Sequence, residues 1–445
     1  MRGGAVQGCA AQLPKIRTHF KRKDKVENVP LLLDVIAEHA DELPFLWQRW
    51  QRALHCSRYS ARELGELEMR MHAHLDGLRL GGAGAWDAIN ANYGWERAGE
   101  LFSAGVLVFA DNDAKRAETV FEKAQMSPTL GAGAASALAW LGYDIGARWL
   151  PGLANSTQPV RGWIALDVAA FHRVPMGNSL SRFLQHADPM LRARAFRAAG
   201  ECGLLDVGSL CLREANQADT HCRFWAAWSA LLLGQPQATS TLRAVLEKGE
   251  PEAARACNVL ARVMSDANFR AWLNELAAQP ATQRFAIQAA GARGSASLVP
   301  WIIQAMVVPQ LARVAGEAFT SITGADLLWE QLQTTAPADL VAGPNDDPDD
   351  DHVAMDPDEL LIWPNANKVA QWWRQNEARF DPAQRYLRGQ IINETSLPNI
   401  LRVGDQVQRA AAALEWVLRK PGTPLPQIGA PLHWYSAQRA SATAA

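Results

Sequence analysis

His72 and Asp76 stand four residues apart in a stretch that reads as helix, a spacing that puts both side chains on one face, where they could share a metal ion. His74 falls on another face, so the two-histidine pattern of a helical zinc site is not completed, and a polar pair at a surface or helix contact is the favoured reading. The run from Pro344 to Glu359 is rich in aspartate but lacks the glycine and the alternating ligand spacing of a calcium loop, so it reads as a solvated acidic loop. Gly291-Ala-Arg-Gly294 reads as a turn between helices, not as a phosphate cradle. The six cysteines (Cys9, Cys56, Cys202, Cys211, Cys222 and Cys257) form no CxxC pair and no zinc spacing. Several sit in apolar helical stretches, where a free thiol packs as a small hydrophobe, which suits a reducing compartment. There is no P-loop, dinucleotide fingerprint, GxSxG or kinase set. No catalytic, cofactor-binding or metal-ligating residue is therefore assigned, and the chain reads as a non-enzyme.

Charge narrows the partners. Forty-four Lys and Arg face 46 Asp and Glu, a formal net charge of −2, which argues against a general nucleic-acid binder. One basic cluster, Lys15 to Lys25, reads as part of a solvated, disordered arm over residues 1–28. The stretch before Cys9 is too short and polar for a signal sequence. No apolar run approaches a membrane span, and a cytoplasmic location is expected. Seventeen tryptophans are an unusual number and bear on binding.

The elements that would position any site announce themselves as a repeat. Arg161, Arg194, Arg223, Arg255, Arg284 and Arg313 recur every 29 to 33 residues. The second residue after each is Trp163, Phe196, Trp225, Cys257, Ala286 or Ala315, and the fifth is Leu166, Ala199, Trp228, Leu260, Ala289 or Ala318. All are apolar, and positions three apart share one helix face. A second amphipathic helix follows in each unit, as in Phe269, Trp272, Leu273 and Leu276. Turns intervene at Gly234-Gln235-Pro236 and Gly291 to Gly294, and prolines mark starts at Asp188-Pro189 and Glu250-Pro251. One such pair cannot bury both stripes, so neighbours must stack. The expectation is an all-α fold: a curved, right-handed α-solenoid of short HEAT-like helix pairs over 86–335, almost without strand. The recurrent arginine is read as a brace between neighbouring pairs.

A helical N-terminal cap is expected over 29–85. In it Pro44 separates one helix from the next, Phe45 to Leu54, and the capping box Ser60 to Glu63 starts a third. An acidic linker over 336–362 leads to a C-terminal helical segment, 363–445. There Trp363, Trp372, Trp373, Arg385 and Tyr386 are candidates to form a partner-binding surface, or to dock onto the solenoid and complete one, because Trp, Tyr and Arg dominate interface hot spots. The competing reading makes them a small core that cements the segment to the array. Adjacent tryptophans point about 100° apart on a helix, so only one of Trp372 and Trp373 is expected in the core.

Three stretches resemble a family of uncharacterised bacterial proteins found in type VI secretion gene clusters, beside tip proteins and their cargo. They are His39 to Trp47 with Ala73 to Leu78; Ala315 to Phe319 with Ile322 to Leu327; and Trp372-Trp373, Arg385-Tyr386-Leu387-x-Gly389, Gly404-x-Gln406, Arg409 to Glu415 and Pro421 to Leu425. The resemblance spans about 30–435 and implies no catalytic activity. It implies a protein-binding scaffold, adaptor- or chaperone-like or an immunity protein, whose partner is a secretion tip protein, an effector or a toxin. The alternative is a nucleic-acid-binding array, which would need a basic stripe along its groove.

Overall fold

Small residues set how closely the helices of this chain stack. In the computed structural model, which describes residues 32–216, 219–337, 343 and 355–431, the cap is a helical hairpin of α1 (Leu33–Ala53) and α2 (Ala61–Asn92). Helix pairs follow: α3 (Ala98–Ala110) with α4 (Ala114–Ala124), α5 (Pro128–Trp140) with α6 (Tyr143–Ala154), and α7 (Pro159–Phe171) with α8 (Asn178–Leu184). Next come α9 (Pro189–Glu201) with α10 (Gly208–Glu214), α11 (Thr220–Leu232) with α12 (Thr239–Glu247), α13 (Ala253–Val263) with α14 (Asp266–Ala278), and α15 (Gln283–Arg293) with α16 (Val299–Ala305). The unpaired α17 (Pro309–Thr323) ends the array. Odd-numbered helices pack on one another as an inner layer, and the even-numbered ones lie outside. This is the all-α solenoid expected.

The inner helices touch where glycine and alanine remove bulk. A Cβ on Gly200 would stand 2.5 Å from Ser229 Oγ of the next inner helix, and one on Gly99 would stand 2.5 Å from the Pro44 carbonyl. Starts are capped as their sequences predict. Ser127 accepts from Leu130 N at 3.2 Å before Pro128, and Asp219 accepts from Cys222 N at 2.8 Å. After Glu250-Pro251 the helix begins two residues later, at Ala253.

Two expectations about local structure are corrected. Pro44 does not split the cap: α1 runs unbroken through it. A proline inside a helix leaves the carbonyl four residues back without its usual partner, and that carbonyl, Ala40 O, takes the Tyr93 hydroxyl at 2.7 Å instead. The cap's second helix passes residue 85 and ends at Asn92, with a break at Gly82, whose φ is +53°.

The C-terminal segment is α18 (Ala366–Asn376), a hairpin of β1 (Tyr386–Leu387) and β2 (Gln390–Ile391), α19 (Ser396–Val403) and α20 (Gln406–Arg419). The hairpin is the strand content the helical reading omitted. Arg388 and Gly389 both have positive φ, 55° and 70°, the conformation that closes a two-residue β-turn. The hairpin and the Asp405 capping box place α20 inside the curve of the array. There Gln406 N donates to Tyr59 O at 2.9 Å, and Ser60 bridges Asp405. The α1–α2 turn thus meets the far end of the molecule, and the solenoid closes on itself.

Candidate binding groove

The inner face surrounds a cavity of about 1330 Å³ that reaches from α1 and α3 to α13. Its walls carry Trp47 and Trp50 from α1, Trp140 from α5, Trp163 from α7, and Trp225 and Trp228 from α11. Aromatic contacts fix several of these rings. Trp47 stacks on Phe102 at 5.5 Å, Trp50 meets Trp140 edge-on at 5.3 Å, and Trp225 meets Trp228 edge-on at 5.5 Å. Trp47 Nε1 donates to Ser136 Oγ at 3.0 Å, and Trp50 Nε1 to Glu68 at 3.3 Å.

The opposite wall is the chain's own C-terminal segment. Ala410, Ala413 and Leu414 of α20 face the cavity, and Leu425 to Gly429 cross it as a strap. Backbone groups hold the strap. Arg173 Nε donates to Leu425 O at 2.6 Å, Leu425 N to Glu201 O at 2.9 Å, and Gln427 Nε2 to Phe171 O at 3.2 Å. Gly203, at φ +70°, lets Gly422 pass: a Cβ there would lie 2.5 Å from Gly422 O.

Charge in the groove is concentrated around α9. Glu201 is buried; burial alone would raise its pKa, but Arg197, Arg194 and Arg173 hold it down to about 2. Arg194 reaches Asp167 at 2.8 Å and Glu201 at 3.1 Å. Trp225 lies beneath two guanidinium groups, Arg197 at 4.6 Å and Arg255 at 5.8 Å from the ring centre. His55, from the α1–α2 turn, also lines the cavity. Its pKa is lowered by burial and then by Arg255 and Arg197, so it is neutral near pH 7.

The arginine ladder works mainly as bracing. Arg161 pairs with Glu118, Arg194 with Asp167 and Arg223 with Glu250 across neighbouring helices, whereas Arg255, among the described residues, pairs at 3.2 Å with Glu252 at the start of its own helix and not across to a neighbour. Arg284 and Arg313 reach out of the array altogether, to Asp358 at 2.5 Å and to Asp356 at 2.7 Å. This corrects the solvated acidic loop for its described end. Asp358 is buried because a bidentate guanidinium replaces its water. The aspartates at 346–351, the basic cluster Lys15 to Lys25 and Cys9 lie outside the described residues.

The five C-terminal candidates come together at the joint between segment and array. Trp373 and Tyr386 are buried around Phe380, and the Tyr386 hydroxyl accepts from Asp381 N at 2.7 Å. Trp372 is half-buried, edge-on to Phe319 at 5.5 Å, so the adjacent tryptophans do divide between core and periphery. Trp363 lies under Arg313 at 4.7 Å. Arg385 donates through Nε to Arg293 O at 2.7 Å and pairs with the buried Glu415, which also meets Arg262 at 3.5 Å. All five pack the joint, and none lines the groove. Of the His72–Asp76 pair, Asp76 bonds Arg79 at 2.9 Å, while the His72 ring tilts against Trp140. Among the described residues no group of three His, Cys, Asp or Glu side chains could hold a metal ion, and no helix is long and apolar enough to cross a membrane.

No family model, curated protein or solved structure matches the chain. The groove tryptophans carried a signal nonetheless. Trp163, Trp225 and Trp228 occupy the second and fifth positions after ladder arginines, which the repeat register reads as a buried stripe; the structure shows these three at the edge of that stripe, where they also line the groove.

Proposed function

We propose that this chain is a protein-binding scaffold, not an enzyme, that takes a segment of a partner protein into the groove between the inner helices and α20. The observation that carries it is the groove itself. At about 1330 Å³ it exceeds the roughly 300–1,000 Å³ of small-ligand sites. Tryptophan and arginine, the residues that dominate protein interfaces, line it. Rigid walls fit that role: rings locked by neighbouring rings lose little entropy when a ligand arrives. The resemblance to proteins of type VI secretion clusters supports an adaptor, chaperone-like or immunity role there, with a tip protein, an effector or a toxin as partner.

Site-specific photo-crosslinking tests the reading. A crosslinking residue replaces Trp163 in the groove or, as a control, exposed Glu247 on α12, in the native host. One protein trapped from the groove and not from α12 is the expected result. Crosslinks to nucleic acid, or none from the groove, would overturn it.

A further inference from the structure

The cluster around Trp225 has chemistry left over after its internal pairs are formed. Arg197 engages Glu201 through Nε at 2.9 Å, and Arg255 engages Glu252 through Nε at 3.2 Å. Among the described residues the terminal amino groups of both guanidiniums have no hydrogen-bond partner. Both side chains line the groove, with 38% and 57% of their surface open, and both rest on one indole. Two cations over one ring repel each other. Arg255 shows it: burial first, and then Arg197, lowers its pKa. An anion that enters the groove beside them relieves that repulsion and meets donors left without a partner.

We propose that Arg197 and Arg255 form a carboxylate-binding site that receives an Asp or Glu side chain from an extended segment of the partner. The inference rests on the groove being the protein-binding site. Local charge selects the anion. Four guanidiniums (Arg173, Arg194, Arg197 and Arg255) face three carboxylates (Asp167, Glu201 and Glu252), a surplus of one positive charge with His55 neutral. One surplus charge matches a carboxylate and leaves a doubly charged phosphate half-compensated. A guanidinium edge with two donors also fits a carboxylate's two oxygens. The groove's length selects an extended chain. It passes six inner helices, from α3 to α13. At about 8–10 Å per step that is roughly 40–50 Å, or about 12–15 residues of extended chain.

A phage library of random dodecapeptides is the probe, selected on the full chain and on two variants, Arg255→Ala and Arg255→Glu. Among the described residues Arg255 is ion-paired with Glu252 alone, at the start of its own helix, and over half of its side chain is open, so losing that pair and the contact with Trp225 is expected to lower the melting temperature only slightly in both variants. Wild type is expected to select peptides with Asp or Glu at one fixed position. Replacing that residue with Asn or Gln should weaken binding about tenfold or more, and Arg255→Ala should weaken the original peptide to the same degree. Arg255→Glu should favour Lys or Arg at that position instead. Peptides selected without an acidic position, or bound equally by Arg255→Ala, would overturn the carboxylate site and leave the scaffold reading standing. If no peptide is selected, both fall.

Discussion

Glu317 sits on α17 where the end of the array meets the turn between α1 and α2. Burial raises its pKa to about 7, Asp405 adds to the rise, and a hydrogen bond with Ser57 offsets part of it. Burial also raises Asp405, to about 6, so both carboxyls are harder to ionise folded than unfolded. A carboxyl with a raised folded pKa contributes stability that is complete below its unfolded pKa and lost as pH rises through the folded value. For Glu317 that window runs from 4.5, its ordinary value, to about 7. At about 1.4 kcal/mol per unit, ionising it at pH 8 costs about 3 kcal/mol. The Glu317→Gln variant keeps the shape and removes the charge, so it should be more stable than wild type at pH 8 by up to that amount. Unfolding entropy of about 2.1 cal/mol/K per residue makes this a rise of about 3 °C in the melting temperature of a 445-residue chain. At pH 4.5 the two proteins should melt together. The difference between them is the quantity to measure, by circular dichroism from pH 4.5 to 8. Other groups pull the opposite way: His172, whose pKa burial lowers to about 4, loses stability as pH falls. A difference that does not grow with pH, or a variant less stable at pH 8, would refute the buried-carboxyl account.

Among the described residues Glu415 is the one acid paired with Arg262 and Arg385, and burial takes Arg262 down to about 10 even with Glu415 opposing it. Glu415→Ala should cost about 3–5 kcal/mol in urea unfolding, because it leaves buried cations unpaired. Trp373→Ala should cost about 3–5 kcal/mol, and Trp372→Ala less than half of that by the same assay, since Trp372 is only half-buried. Gly200→Ala should cost about 1–3 kcal/mol through overpacking, and Ser229→Gly should restore part of it by clearing the atoms the new methyl meets.

The array was legible because its information is local and periodic. An arginine with apolar residues two and five places on repeats because each inner helix meets the same neighbours, and capping residues sit beside the helices they start. What depends on distant residues left no such trace. Pro44 reads as a break unless one knows that the Tyr93 hydroxyl, 53 residues away in sequence, takes the orphaned carbonyl. Asp356 and Asp358 read as solvated until Arg313 and Arg284 are found across from them. The groove was half legible. Three of its six tryptophans, Trp163, Trp225 and Trp228, fall on the register's apolar stripe, but its far wall comes from α20 and the strap, brought in by bonds such as Gln427 to Phe171 that span 256 residues. The C-terminal aromatics drew attention by composition alone, and composition does not distinguish a joint from an interface.

The junction of Tyr59 with Gln406 changes what this architecture can tolerate over evolutionary time. An open stack of helix pairs can gain or lose a unit at little cost, because each unit contacts only its neighbours. Here the two ends must meet. Inserting one pair would carry Gln406 past Tyr59 by one step of the stack, roughly 8–10 Å, too far for their hydrogen bond. The circumference is therefore quantised: units can diverge in sequence but not change in number unless cap, α20 and strap are rebuilt together.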